Sequence, residues 1–440
     1  MTANLVRLSI AAALLVLSRG ASALEPGQSV ARALDQLDAK RYSLARAYLD
    51  PVVVDPRLSG VQRARAYYIR GFTFLSEGLY VSAAQDYQRA LDLDPDNPQV
   101  LTELGRLYVD GIGVDKDLAK AFALLQKGAR GGNDSARLYV GYALLTGTGT
   151  QADVVKARYW LQEAADAGHV DALVQLARSH RAPFADPPDP KKALELYQSA
   201  VDRGSVDALV ALGYMYLGNE AGAPDRPRAT EYFRQAAERN APAAQVAIGY
   251  LDVSDKRYAS AKEWFQRAVD AKYPAAYAGL GNLYQFGLGV VADRARAVAL
   301  YTDGAKLGDA RAQLLLADIE LQPPMTEAKA AAALNWLRAA AAQDHPQGRN
   351  GLAWLLATSK YERLRDGATA LVEARRATEI SPSATTLDTL AAAYAETGDF
   401  DNAIETQRRA IAAMKPTDKN IRGELDKHLA SYLDHRPWRE

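Results

Sequence analysis

An alanine returns at a nearly constant interval between residues 121 and 333, and each copy opens the same short apolar pattern. The successive intervals are 36, 36, 36, 32, 36 and 36 residues, and the alanines are Ala121, Ala157, Ala193, Ala229, Ala261, Ala297 and Ala333. An aromatic or aliphatic pair follows three and four residues later, small residues follow at seven and eight, and a glycine often stands at eleven. These spacings place one apolar stripe along a helix, and the glycine supplies the left-handed residue that ends it. The pattern predicts seven related helices.

A second column lies on the helix that precedes each of these seven. Glycine occupies it in five copies and alanine in the other two: Gly105, Gly141, Ala177, Gly213, Gly249, Gly281 and Ala317. A glycine inside a helix costs about 1 kcal/mol relative to alanine. Because the cost recurs at one position, we expect the paired helix to approach so closely there that a β-carbon would hold the two backbones apart.

Three Gly-x-Gly segments separate the two helices of a pair. They begin at Gly111, Gly147 and Gly287, and an aspartate follows each of them: Asp115, Asp153 and Asp293. Glycine permits a positive φ angle, and aspartate is a favoured N-terminal cap. Each segment therefore predicts a turn followed by the start of the second helix.

The pattern resembles the Sel1-like repeat, a relative of the tetratricopeptide repeat. The segments from Gly105 to Ala121 and from Gly281 to Ala297 match it best. The copy that ends at Gly204 departs from it, since residues 182–190 form a proline-rich insert in place of the turn. The copy around Trp264 is four residues shorter, and its turn is similar to the tetratricopeptide kind. The resemblance implies an all-α fold, an α-solenoid that forms a right-handed superhelix of about eleven TPR/Sel1-like helix pairs.

The flanks resemble true tetratricopeptide repeats, and this divides the chain into five segments. We expect a signal peptide at 1–23, N-terminal TPR-like repeats at 24–97, Sel1-like repeats at 98–344, C-terminal TPR repeats at 345–416, and a capping helix with a tail at 417–440. An open solenoid needs a polar last helix for solubility, and residues 421–435 supply one.

The N-terminal segment has the three parts of a secretory signal. Arg7 gives a positive start, an apolar run of about ten residues follows, and Ala21-Ser22-Ala23 forms a small-residue cleavage site. A run of that length is well short of the roughly 20 residues that span a bilayer. Without a lipidated cysteine, the pattern predicts a periplasmic or secreted bacterial protein with no stable membrane insertion after cleavage. An uncleaved anchor or a buried first helix is the alternative, because Arg19 lies close to the cleavage site.

The amino-acid composition of the chain excludes several classes of function. The chain has no cysteine, so it lacks disulfides, thiolate nucleophiles and Cys-ligated metals. Fifty-three Lys and Arg balance 53 Asp and Glu, and a neutral chain has no bulk positive charge to attract nucleic acid. We expect no nucleic-acid partner.

The sequence lacks the common catalytic motifs, which favours a protein that is not an enzyme. The chain contains no H-E-x-x-H, no G-x-S-x-G and no Gly-Lys dipeptide. Segments at Gly147 and Gly287 match G-x-G-x-x-A, but that fingerprint requires a preceding β-strand. The five histidines show no ligand spacing, so we expect neither a metal nor another cofactor. Acid–base work by Asp171 and Asp207, one repeat apart, is the less favoured hydrolase alternative.

One further column suggests a binding surface. The residue directly after the glycine column is expected to face the concave side of the stack, and it reads Phe72, Arg106, Tyr142, Arg178, Tyr214, Tyr250, Asn282, Asp318 and Trp354. Tyr, Trp and Arg dominate binding hot spots. We expect Phe72, Arg106, Tyr142, Arg178, Tyr214, Tyr250 and Trp354 to contact a partner, with a continuous central strip from residue 142 to residue 250. A neighbouring column adds Arg65, Asp171, Asp207 and Arg311. The alternative is a solvated wall without a ligand.

These residues predict an extracytoplasmic scaffold that binds a partner protein or peptide along a groove. Similar Sel1-like and tetratricopeptide proteins of bacterial envelopes serve in secretion, in exopolysaccharide export and in contact with host factors, so the resemblance implies a role of that kind. A glycan- or peptidoglycan-binding module is the alternative, because tyrosine rings also stack on sugars.

Overall fold

The computed structural model describes residues 24–181, 183–184, 187–414 and 421–440, and the predicted signal peptide lies outside them. Within these ranges the chain forms twenty-three α-helices and no β-strand. It divides into two compact units, Met1–Pro224 and Asp225–Glu440.

The first unit contains eleven described helices. They are α1 (Pro26–Asp38), α2 (Tyr42–Val53), α3 (Gly60–Ser76), α4 (Tyr80–Leu93), α5 (Pro98–Asp110), α6 (Leu118–Arg130), α7 (Asp134–Thr146), α8 (Val154–Asp166), α9 (Val170–Ser179), α10 (Pro190–Asp202) and α11 (Val206–Leu217).

The second unit contains twelve described helices and one short 3₁₀ turn at Glu362–Leu364. The helices are α12 (Arg226–Glu238), α13 (Pro242–Ser254), α14 (Tyr258–Asp270), α15 (Pro274–Phe286), α16 (Arg294–Lys306), α17 (Ala310–Glu320), α18 (Glu327–Ala341), α19 (Pro346–Thr358), α20 (Gly367–Ile380), α21 (Ala384–Glu396), α22 (Phe400–Ala412) and α23 (Arg422–Leu433).

Helical hairpins stack one on the next within each unit. Within a unit, an odd-numbered helix packs on the even-numbered helix that follows it, as α5 does on α6 and α15 on α16, and consecutive hairpins pack on one another. In the second unit the odd helices from α13 to α21 additionally touch one another along the stack. The predicted all-α solenoid of helix pairs is confirmed.

The alanine column forms the core between paired helices. All seven alanines are at most 1% exposed, and the side chain four residues after each is buried as well: Leu125, Leu161, Tyr197, Phe233, Phe265, Tyr301 and Leu337. Burying such a side chain contributes about 1.5–3 kcal/mol through the hydrophobic effect. Within each unit, the repeated sequence pattern therefore marks the residues that hold the two helices of a hairpin together.

The glycine column receives these same large side chains. A β-carbon built on Gly281 would lie 2.4 Å from Cε1 of Tyr301, and one on Gly141 would lie 2.6 Å from Cγ of Leu161. Both glycines are buried in the middle of a helix. The close approach expected from the sequence is confirmed, and the contact is made by the side chain four residues after the alanine.

The three Gly-x-Gly turns join their hairpins to the previous ones. Gly147 caps α7 with a φ of 73°, and Gly149 follows with a φ of 71°. A β-carbon on Gly149 would lie 2.1 Å from the carbonyl oxygen of Leu118, at the start of α6. Gly113 and Gly289 contact Tyr80 and Tyr258 in the same way. The second glycine thus lets the turn rest on the backbone of the preceding hairpin, and we call this contact a glycine joint.

Arginine makes the equivalent connection in two copies that have no such turn. Arg158 of α8 donates to the carbonyl oxygen of Ser179 at 2.7 Å, at the end of α9. Arg226 of α12 donates to the carbonyl oxygen of Leu251 at 3.0 Å and lies 2.6 Å from a carboxylate oxygen of Asp255. The last carbonyls of a helix lack partners within the helix, and a guanidinium satisfies them and complements the helix dipole. We call these contacts arginine joints.

Two expectations about helix caps have different outcomes. Asp153 and Asp293 cap α8 and α16, accepting from the backbone N–H three residues later. Asp115 was expected to do the same for α6 and does not, because the cap is Asp117, which accepts from Lys120 at 2.9 Å. The cap lies six residues after the first glycine of the turn in all three copies, and this common spacing excludes Asp115.

The residue that terminates each of the seven second helices has a left-handed backbone conformation, as expected. Gly132, Gly168, Gly204 and Gly308 have φ angles of 90–101°, and residues other than glycine hold the same place in three copies: Asn240, Lys272 and Asp344. The shortened copy has a turn at Lys256 with a φ of 60°, and Arg257 N–H bonds to the carbonyl of Asp252. The same hydrogen-bond span closes the flanking turns at Gly78 and Gly398.

The last helix, α23, packs on α22 and α21. Its charged side carries ion pairs such as Arg422 with Asp426, while Leu425, His428 and Tyr432 are buried. His435 lies beyond the end of the helix, at a φ of 55°, and its ring stacks on Phe400 at 5.1 Å. His435 therefore lies outside α23, whereas His428 is buried within it.

Candidate partner-binding surface

The residue after the glycine column lies on the exposed side of the odd helices in the first unit. Phe72, Tyr142 and Tyr214 are 39%, 41% and 47% exposed, and Arg106 and Arg178 are exposed as well. One step along a helix turns a side chain by about 100°, so a neighbour of a buried glycine or alanine points away from the packed side. These five residues, from α3, α5, α7, α9 and α11, are called the first-unit strip.

Aromatic and arginine residues alternate along this strip, and the arginines are held in place by local contacts. Arg106 pairs with Glu103 at 3.1 Å and lies over the ring of Tyr139, 5.7 Å from its centroid. Arg178 lies 5.0 Å from the ring centroid of Phe184. Arg106 uses one nitrogen for Glu103, and a guanidinium over an aromatic face keeps its remaining edge N–H groups available to a carboxylate. The strip can therefore contact apolar groups and carboxylates in turn.

The same column is engaged within the protein in the second unit. Tyr250 is half-buried, its ring meets Phe265 edge-on at 5.0 Å, and Arg311 lies 5.1 Å from its centroid. Burial raises the pKa of Tyr250. Asn282 accepts a hydrogen bond of 2.7 Å from the hydroxyl of Tyr301. Tyr250 was expected to be a partner contact, but its ring is largely occupied by these neighbours.

Trp354 also has a neighbour in the protein. Its Nε1 donates to Oε2 of Glu440 at 2.9 Å, and its ring lies 5.4 Å from that of His428. Asp318 is exposed, and removal of water by the surrounding protein raises the pKa of its carboxyl group. Sequence reasoning missed Glu396, Arg439 and Glu440, which come together on this face. The aromatic and arginine side chains of Trp438 and Arg439, directly after the last helix, are the signal that could have found them.

The neighbouring column is exposed where the sequence placed it. Arg65, Asp171, Asp207 and Arg311 are all exposed, and Asp171 and Asp207 lie in the first turns of α9 and α11. Negative charge in a first helical turn is favoured by the helix dipole, which gives both carboxylates a local structural role. The predicted contact of the strip residues with a partner, and their continuity from residue 142 to residue 250, stay predictions.

The described residues lack the features of two other classes of protein, metal-binding and membrane-spanning proteins. They contain no cluster of three or more His, Asp or Glu placed to hold a metal ion, and no helix in the same ranges is long and apolar enough to cross a membrane. The G-x-G-x-x-A segments lie between two helices, at the turns that cap α7 and α15. They therefore serve as turns and lack the strand that a dinucleotide site requires.

Stacked hairpins with buried small-residue columns define a helical-repeat scaffold, a class of protein that commonly binds other proteins and is typically non-enzymatic. Seven successive stretches match the Sel1 repeat: residues 98–133, 134–169, 170–205, 206–240, 242–273, 274–309 and 310–345. These stretches cover more than half of the chain, and the chain belongs to the Sel1 repeat family. Residues 64–97 and 384–413 match the tetratricopeptide repeat. The resemblance read from the sequence is confirmed.

Solved structures similar to this chain come from bacteria and yeast. A protective antigen with an SLR fold from uropathogenic Escherichia coli, c5321, is 24% identical over 94% of this chain and 92% of that chain, at a TM-score of 0.46. A Sel1 repeat protein from Oxalobacter formigenes is 23% identical over 76% of this chain and 93% of that chain, at a TM-score of 0.45. Yeast Tom70 is 15% identical over 93% of this chain and 96% of that chain, at a TM-score of 0.39. No curated protein matches the chain.

Proposed function

We propose that the first-unit strip binds an extended segment of a partner protein. The observation that carries this proposal is the exposed alternation of aromatic and arginine residues at Phe72, Arg106, Tyr142, Arg178 and Tyr214. The aromatic faces receive apolar side chains, and the guanidinium groups pair with carboxylates bidentately. No covalent step is involved.

The repeat spacing defines what such a segment looks like. Neighbouring packed helices are separated by roughly 10 Å, and an extended chain advances about 3.3 Å per residue, so one repeat spans about three ligand residues. Arg106 and Arg178 are two repeats apart. The proposed ligand therefore carries a carboxylate about every six residues, with apolar side chains between them.

We expect random 16-residue peptides selected on the full chain to show this spacing, and to lose affinity when the strip is changed. The variant combines Tyr142→Ala, Arg178→Ala and Tyr214→Ala. Truncated hot-spot residues cost about 2 kcal/mol or more each, and 1.4 kcal/mol is tenfold in affinity, so we expect binding to weaken at least tenfold. Fluorescence anisotropy of the selected peptides measures the change.

The matched control changes three exposed residues on the second helices of the same unit, Tyr159→Ala, Lys192→Ala and Glu195→Ala. It should keep native affinity, and both variants should keep the native melting temperature. Equal peptide binding by the strip variant and the native chain contradicts the proposal. Binding of soluble oligosaccharides that depends on the same three residues would assign the strip to a glycan-binding module instead.

We also propose that the protein acts outside the cytoplasm, in assembly of a secretion or exopolysaccharide-export apparatus of a bacterial envelope. The support is the pattern of residues 1–23, together with a chain free of cysteine that needs no reducing compartment.

We expect the chain recovered from a periplasmic fraction to begin at Leu24, as read by N-terminal sequencing. The control variant Ala21→Arg with Ala23→Arg removes the small residues of the cleavage site and should keep the full-length N-terminus. A native chain that keeps residue 1 and stays with the cytoplasmic fraction contradicts this localisation.

A further inference from the structure

The last five residues fold back onto the odd-helix side of the C-terminal repeats. After α23 the chain turns at His435, and residues 436–440, here called the tail, reach the end of α19, some 80 residues earlier in the sequence. The contacts are made by α19, α21 and α23 and by the connection that follows α19. This surface carries Trp354, the last member of the column expected to bind a partner.

The tail is held by backbone pairing of the kind that an added strand makes. Glu440 N–H donates to the carbonyl of Thr358 at 2.8 Å, and Lys360 N–H donates to the carbonyl of Glu440 at 2.8 Å. These two bonds flank Ser359, whose φ and ψ of −53° and 132° are extended. Backbone hydrogen bonds give affinity without regard to sequence, and pockets for the neighbouring side chains give specificity.

The first side-chain pocket binds a guanidinium group. Arg439 lies 2.6 Å from Oε2 of Glu396 and donates to the carbonyl of Ala357 at 3.0 Å. Glu396 is 12% exposed and also pairs with Arg365 at 3.2 Å. A largely buried carboxylate close to two guanidinium groups attracts positive charge, although its Oε2 accepts no hydrogen bond from the described residues.

The second side-chain pocket binds an aromatic ring, and two buried nitrogen atoms there lack hydrogen-bond partners among the described residues. The ring of Trp438 packs on His428, with centroids 4.6 Å apart. Trp438 Nε1 and His428 Nε2 are both buried without a hydrogen-bond partner among the described residues. An unpaired buried polar atom weakens binding, so the tail fills this pocket at less than full affinity. A ligand that supplies the missing partners can displace it.

A cavity of about 420 Å³ continues the surface beyond the tail. Asp318, Met325, Trp354 and Glu440 are among the residues that line it. It offers room for further residues of a bound segment next to the position of Glu440.

We propose that this surface, formed by α19, α21 and α23, is a second peptide-binding site that the tail occupies as an internal ligand. Its partner is an extended peptide of another protein that carries an aromatic residue, an arginine and a carboxylate in succession. The site lies in the second unit and does not depend on the first-unit strip. A partner with this sequence pattern displaces residues 436–440 and takes over the backbone pairing with Thr358 and Lys360.

The test uses the full-length chain and a fluorescent synthetic peptide of residues 434–440. In the variant Trp438→Ala with Arg439→Glu, the tail no longer competes, and a tethered competitor acts at an effective concentration of the order of millimolar. We expect the peptide to bind this variant at least tenfold more tightly than the native chain. The same peptide with alanine for tryptophan and glutamate for arginine should not bind.

Arg436→Glu is the matched control, since its side chain is 72% exposed and pairs only with Asp434 in the described residues. It makes the same charge change three residues away and should bind the peptide as weakly as the native chain does. Equal affinity of all three chains overturns the proposal. So does a folded variant that melts at a lower temperature and binds no peptide, because the tail is then a structural cap. If the double variant does not fold, Arg439→Ala replaces it, with the same two outcomes.

Discussion

Gly281→Ala is expected to destabilise the hairpin of α15 and α16 by about 2 kcal/mol. The added β-carbon would lie 2.4 Å from the ring of Tyr301, which is 1% exposed and tied through its hydroxyl to Asn282. Overpacking a close-packed site costs about 1–3 kcal/mol, whereas helix propensity alone would favour alanine by about 1 kcal/mol. Contact with the buried ring decides the sign. Urea unfolding, with hydrogen exchange resolved to α15 and α16, measures the change.

Gly423→Ala is the matched control for this substitution. Gly423 also lies in a helix, α23, and a β-carbon there meets no atom of the described residues within 4 Å. It should gain about 0.5–1 kcal/mol. Adding Tyr301→Leu to Gly281→Ala should return part of the lost stability, because the smaller side chain vacates the contact. If Gly281→Ala proves as stable as Gly423→Ala, close approach is not the reason for the glycine column.

Asp388→Ala is expected to detach α23 from the C-terminal repeats, at a cost of about 3–5 kcal/mol. Oδ1 of Asp388 lies 2.8 Å from Nδ1 of His428 and 2.7 Å from Nε2 of Gln407. His428, Gln407 and Asp388 are all less than 9% exposed. Removing Asp388 leaves the ring of His428 without a hydrogen-bond partner among the described residues and takes one of the two acceptors from Gln407, whose Nε2 also donates to the carbonyl of Leu425 at 3.0 Å. Hydrogen exchange and limited proteolysis at residues 421–435 measure the release.

Asp388→Asn keeps an oxygen acceptor in nearly the same volume and provides the control. It should cost clearly less than Asp388→Ala, since one oxygen can still accept from His428 or Gln407. Equal losses for the two variants would show that the charge of Asp388, and not its acceptor role, holds α23. Neither variant touches the first-unit strip, so peptide selection there should be unchanged.

The core of each hairpin could be predicted from the sequence because one physical cause acts seven times. Ala121 and its six counterparts are all buried, and the same close helix contact constrains Gly105, Gly141, Gly249 and Gly281, so the period itself reveals these positions. The cap of α6 was misassigned to Asp115 because a nearby aspartate also fits the preference for that residue type. The six-residue spacing that relates Asp117 to Asp153 and Asp293 was the stronger signal.

The binding column could be placed from the sequence, but its surroundings could not. Helical geometry alone puts Tyr142, Tyr214 and Tyr250 on one side of their helices. Whether the ring is exposed depends on neighbours outside the repeat pattern, and Tyr250 meets Arg311 of a different hairpin. The tail is a stronger case, since Glu440 and Trp354 are 86 residues apart and no periodicity links them.

The two kinds of joint between hairpins give the stack an uneven response to salt. Glycine joints, such as that of Gly149 on Leu118, rest on contact between neutral backbones, which dissolved ions do not screen. Arg226 acts partly through its charge, and half of its side chain reaches water. Electrolyte weakens such exposed attractions over distances of about 8 Å at physiological ionic strength. Concentrated salt would therefore weaken the contact between α12 and α13 and increase local motion there, while the glycine joints stay unchanged.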